Sequence, residues 1–264
     1  MVVKKMGNIF HIFLNSLKLN ISFLMKSKSN FYFMFFLQIF YYVVQVIFWS
    51  GIFNISNSDF IKEPIKIYGF LVTLAFIDNF YLTFFGSGSL NMQNEIFKLS
   101  LDNYLIKPIH PLIYFIFFKP NLGYFPGFIL SIIFLISYYY YFNINLFQIF
   151  IHILSMLTGV FILNAISFIY RISCFWTNCL VMIKNSNPSF KIMVRPLESF
   201  EGKLRLFLLF VFPALFITGV PSSILYNDIM KYWLLIGFIM NIWIWILVYF
   251  LWKKGVKRYL IISV

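Results

Sequence analysis

Six stretches of this sequence run for about twenty residues almost without a charge, and that spacing constrains the fold more than any other feature. They fall near residues 31–53, 65–85, 122–141, 146–170, 206–225 and 232–252. A helix needs about 20 mostly apolar residues to cross roughly 30 Å of hydrocarbon. Inside lipid every backbone N–H and C=O must find its partner within the segment, so the spans must be helices. Charged residues are only 11% of the chain and hydrophobic ones 61%, too lopsided to clothe a soluble surface. The expected fold class is an all-α integral membrane protein with six transmembrane helices, one transmembrane domain over residues 1–264.

The basic residues set the orientation. Of the 21 Lys and Arg, only Lys62, Lys66 and Lys231 fall in one alternate set of loops; all the others fall in the opposite set and at both ends. The positive-inside rule places that richer set, with both termini, in the cytoplasm. An even number of spans is then required, and six fits. A bacterial cytoplasmic membrane is the expected location.

Ahead of the first span, residues 7–25 alternate Ile9, Phe10, Phe13, Leu17, Ile21 and Leu24 with Asn8, His11, Asn15, Lys18 and Ser22. This is the pattern of an amphipathic helix lying at the inner headgroups. Lys18, Lys26 and Lys28 follow with no small-x-small cleavage site, so the start is expected to be retained and not cleaved as a signal. Arg171 interrupts a long apolar stretch, and 172–183, too short to cross, is expected to be an interfacial extension.

The loop after the second span is polar and mixed in charge. Residues 89–111 hold Asn91, Gln93, Asn94, Glu95, Asp102 and Asn103, with Ile96, Leu99 (or Ser100) and Asn103 on one helical side. Pro108 and Pro111 are expected to end it. Such a segment reads as a folded helix that meets another protein.

Several kinds of chemistry are missing. No G-x-x-x-x-G-K-[ST] loop occurs, and the 86–89 Gly-Ser-Gly-Ser run resembles a phosphate loop only in composition. His11, His110 and His152 are scattered, Cys174 and Cys179 have no His beside them, and no nucleophile elbow appears. No metal site, catalytic residue or nucleic-acid partner is expected. Asp78, beside Asn79, is the one acidic residue deep in a span; such a carboxylate must face protein or water. Pro213, Gly219 and Pro221 are expected to break the fifth span, a pattern tolerated where protein or a water cavity re-satisfies the freed carbonyls.

Two stretches carry a family resemblance. Ser100-Leu101-Asp102-Asn103-Tyr104-Leu105-Ile106-Lys107-Pro108 is similar to the G-x-L-D-x-L-L-x-[RK]-P loop of the six-span ABC-2 family transporter proteins. Phe175-Trp176, Arg195-Pro196-Leu197, Leu204-Arg205 and Val211-Phe212-Pro213-Ala214 resemble that family's second loop and fifth span. Ser100 stands where the family usually has Gly, and Arg195 where it often has Tyr. The resemblance implies the permease subunit of an ABC exporter, working by alternating access. Its partners would be cytoplasmic ATPase subunits, a second permease chain (identical or paralogous) and the bilayer. ATP and Mg would sit on the ATPase, with no cofactor on this chain. Glu95, Phe97, Lys98, Leu101, Asp102, Tyr104 and Lys107 would form the ATPase-coupling loop, and spans two and five would line the path. The alternatives are an ion-gradient-driven carrier built on Asp78, or a non-transport scaffold or immunity protein.

Overall fold

The structure, a computed structural model, describes residues 28–55, 64–117, 120–177, 195–197 and 200–262. The amphipathic segment at 7–25 and most of the second basic loop lie outside the described residues. Among those described, every regular element is helical: α1 Lys28–Ile55, α2 Pro64–Phe84, α3 Gly86–Phe97, α4 Asp102–Leu105 and α5 Pro111–Phe117. They continue as α6 Phe125–Tyr141, α7 Leu146–Ile172, α8 Gly202–Leu206, α9 Gly219–Ser223 and α10 Trp233–Ile262.

Among the described residues four stretches are long and apolar enough to cross a membrane: Ile65–Phe84, Pro111–Tyr141, Leu146–Phe175 and Trp233–Ile261. Within α1 the described apolar part, Phe35–Phe48, is shorter. The membrane location rests on these helices.

The fifth expected span is not one helix. After α8 the chain widens into a π-helical turn, Phe207–Val211, in which the Phe212 amide reaches back to the Phe207 carbonyl at 3.0 Å. Pro213 has no N–H to continue the ladder, and Phe212 turns out of it at φ −124, ψ 87. A 3-10 turn, Ala214–Phe216, and α9 follow, all buried. Pro213 is therefore a true break. Gly219 instead opens α9, and Pro221 sits in its first turn, where a missing N–H costs no internal bond. Pro111 likewise begins α5 and does not end the preceding loop.

α7 is the central helix. Residues 162–168 are buried without interruption, so α7 has protein on all sides there, while α10 buries a single seam of Ile244, Val248, Trp252 and Tyr259. The seam's steps of four and seven residues are those of one helix face. Its other face, including Leu235, Ile239, Ile242 and Phe250, is exposed, as a lipid-facing helix should be. Gly159 permits the tight contact at α7's middle, because a Cβ there would collide with the Ile217 carbonyl.

Arg171 does not cut the apolar stretch. α7 runs through it to Ile172, a 3-10 turn Ser173–Phe175 follows, and the Arg171 guanidinium donates to Gln93 Oε1 on α3. The expected interfacial piece at 172–183 thus starts as a continuation of α7, and its remainder beyond Thr177 lies outside the described residues.

That pair ties α7 to α3, and a separate polar cluster joins α7 to α2 and α6. In that cluster Thr73 Oγ1 donates to the Gly69 carbonyl at 2.6 Å. Its single proton spent, it accepts from His152 Nε2 at 2.9 Å. The other ring nitrogen, Nδ1, accepts from the Tyr139 hydroxyl at 2.6 Å. The neutral Nε2–H tautomer satisfies every group in the chain, and it ties α2, α6 and α7 together.

Candidate functional site

Two places gather the residues singled out in the sequence. The first is the tip between α3 and α4. The buried face of α3, with Gly88, Ser89, Met92, Gln93 and Ile96, packs inward at helical spacing. At Gly88 a Cβ would collide with the Phe115 carbonyl, so the glycine lets α5 lie directly against α3. The 86–89 run is the first turn of a helix, with no cradle for phosphate.

α3 ends in a Schellman turn. The Ser100 amide donates to the Glu95 carbonyl at 3.0 Å and the Leu99 amide to the Ile96 carbonyl at 3.2 Å. This turn needs a left-handed residue, and Leu99 supplies it at φ 53. The same turn ends α6, where Ile144 bonds Tyr139 at 3.1 Å and Asn143 takes φ 49. Asn tolerates that region and Leu does not. Leu99, Ser100 and Asn103 consequently do not continue one helical side with Ile96; Asn103 lies on the separate helix α4.

The side chains at the tip divide into two groups. Glu95 works internally: Ser100 Oγ donates to its Oε2 at 2.6 Å, and the Tyr104 hydroxyl lies 3.4 Å from its Oε1. Burial, then the Glu95 charge, push the Tyr104 hydroxyl up to about 12, so it stays a neutral donor. The Tyr104 ring packs on Tyr114 and Phe115, with centroids 5.2 and 4.8 Å away, so it is not a free knob. Lys107 Nζ stands 4.3 Å over Tyr104 and 4.6 Å over Tyr114, a cation clamped by two rings. Leu101 is 0% exposed and anchors the tip. The Tyr259 hydroxyl of α10 lies against the Leu101–Asp102 backbone and the Asp102 side chain. What faces outward is Phe97 at 46%, Leu99 at 54% and Ile106 at 84% exposure, with Lys98 and Asp102 between them. Leu99 and Ile106 were not among the residues expected to form the coupling contact; their exposed apolar chains are visible only once the turn is built.

The same end of the molecule carries Lys253, Lys254, Lys257 and Arg258 at the close of α10. Phe175 holds that helix end in place, its ring against Trp252 and Tyr259, with centroids 5.8 and 6.3 Å away. The Phe175 of the Phe-Trp pair is thus an anchor.

The second place is a cavity of about 880 Å³ between α1, α2 and α6. Asp78 opens into it, together with Tyr41, Tyr42, Gln45 and Tyr138. Asn79 turns the other way: its Nδ2 donates to the Tyr42 hydroxyl and, at 2.7 Å, to the Ala75 carbonyl. Pro213, Gly219 and Pro221 do not line this cavity. Among the described residues no three His, Cys, Asp or Glu side chains gather as for a metal.

The family model for the ABC-2 family transporter proteins matches residues 38–263. No curated protein and no solved structure matches the chain. The match runs from α1 through α10 and so includes both the tip and the cavity. With four apolar stretches of spanning length among the described residues, it makes the protein an integral membrane component of an ABC transporter, the non-catalytic permease type whose ATPase is a separate chain. The chain belongs to the ABC-2 family of transporter proteins.

Proposed function

We propose that the protein is the permease of an ABC exporter that crosses the membrane six times, with both termini in the cytoplasm. The spans are α1, α2, α6, α7, the broken segment from α8 to α9, and α10. It pairs with a second permease chain and takes its work from two ATPase subunits that bind ATP and Mg. The α3–α4 tip is the coupling element: closure of the ATPase pair presses on it, and α3, joined to α7 through Arg171 and Gln93, carries the motion into the bundle.

The observation that carries this reading is the exposed trio Phe97, Leu99 and Ile106 on a tip whose Leu101 is fully buried. Exposed apolar side chains on a braced, polar-flanked turn suit insertion into a cleft of another protein. Lys98 and Asp102 add charged contacts beside them, while Glu95, Tyr104, Leu101 and Lys107 hold the tip's shape.

The test is capture of the tagged chain from its native membrane in mild detergent, followed by mass spectrometry and an ATPase assay. A Walker-motif ATPase should come down with the wild type, and Phe97→Ala with Lys98→Glu should lose most of it at unchanged thermal stability. Asp78 in its cavity favours one rival, a carrier driven by an ion gradient. Transport that survives collapse of the proton gradient but stops without ATP rejects that rival; the reverse pattern rejects the exporter.

A further inference from the structure

The cavity between α1, α2 and α6 has an unusual balance of charge. Its described lining is almost wholly apolar and aromatic, and among the described residues Asp78 is the only ionisable one in it besides the tyrosines. Among the described residues no Lys, Arg or His lines it, although the chain carries a formal net charge of +13. Among the described residues no side chain forms an ion pair or hydrogen bond with the Asp78 carboxylate. Gln45 Oε1 is also buried with no hydrogen-bond partner there. Its volume, about 880 Å³, lies in the range of sites that enclose drug-sized ligands.

These features select a ligand by elimination. An anion would meet a carboxylate and no cation. A neutral acyl chain would fill the apolar part and leave the carboxylate unpaired in a dry setting. A compact hydrophilic cation would leave the aromatic walls without a partner. A cation within an apolar body satisfies all three surfaces: Asp78 meets the charge, the Tyr41 and Tyr42 rings of α1 add cation–π attraction, and Phe134, Tyr138 and Phe142 cover the apolar part.

We propose that this cavity binds a lipophilic monovalent cation, of the quaternary ammonium or phosphonium kind, with Asp78 as its counter-ion. The proposal rests on the permease reading and names the substrate class for it.

The experiment measures equilibrium binding of tetraphenylphosphonium to the purified full chain in nanodiscs, corrected for empty nanodiscs, with tetraphenylborate as the same-shaped anion. The wild type should bind tetraphenylphosphonium saturably at one site per chain, without competition from tetraphenylborate. Asp78→Asn should weaken binding at least about tenfold and Asp78→Glu should retain most of it. Val72→Trp, which fills the cavity and leaves the carboxylate in place, should also abolish binding, so the result does not hang on one variant. Equal competition by the anion, or unchanged affinity in both Asp78→Asn and Val72→Trp, overturns the proposal. So does a stable dimer of the chain with no saturable cation binding, which would give the groove to a second copy. A co-purifying ATPase with no cation binding sinks this proposal alone. Asp78-dependent binding with no ATPase sinks the permease reading and leaves the cation site standing.

Discussion

Leu99 holds a left-handed backbone at φ 53 on an exposed turn, where glycine would be at ease. A branched residue there costs about 1 kcal/mol or slightly more, so the turn keeps Leu99 at the expense of stability. Leu99→Gly should therefore raise the thermal unfolding midpoint, by about 1 kcal/mol of stability, while weakening ATPase capture. A variant that is stabilised and still captures the ATPase in full would remove Leu99 from the contact. His152 makes the opposite case, a polar group fully committed to structure. Thr73→Val should leave Nε2–H unpaired in the bundle and cost about 1–2 kcal/mol, read as a lower unfolding midpoint in detergent. A double-mutant cycle with Tyr139→Phe should show non-additivity, since both hydroxyls hold one ring. Neither role was legible in the sequence. A lone histidine in an apolar run, and a leucine in a polar loop, look the same whether paired or not.

At the scale of elements, the α3–α4 tip separates anchors from knobs. Leu101→Ala empties a fully buried site and should cost about 2–5 kcal/mol, whereas Phe97→Ala and Ile106→Ala should leave stability within about 0.5 kcal/mol and reduce ATPase binding. Circular dichroism melts beside capture assays check both halves. The glycines give a paired control: Gly88→Ala drives a methyl into the Phe115 carbonyl and should destabilise by about 1–3 kcal/mol. Gly51→Ala meets nothing within 4 Å and should be neutral or slightly stabilising. Hydropathy made the long helices readable, because lipid enforces their length and composition. It could not resolve 206–225, where apolar residues fill a π turn, a 3-10 turn and a short helix alike. Apolarity records depth in the membrane, while helix continuity depends on where Pro213 withholds its N–H and on which neighbour lies close enough to receive the bent chain.

For the whole molecule, the fold puts the α3–α4 tip, the Arg171–Gln93 pair and the basic end of α10 together, with Lys66 at the opposite end of α2. Single cysteines replacing Lys98 and Lys257 should therefore react with an impermeant maleimide from the same side of a sealed vesicle, and one replacing Lys66 from the other. Labelling of the two tip-side positions from opposite faces would refute the arrangement. The sequence by itself determined the solvent, the helical class and the family, because each depends on composition or short motifs that need no neighbour. The tertiary structure decided which polar groups are spent on one another and which remain available. Arg171 found Gln93, and His152 found Thr73 and Tyr139, while Asp78 was left facing a cavity. Partnership between residues far apart in the chain is set by how helices pack, and helices of uniformly apolar composition leave that packing almost unmarked along the sequence.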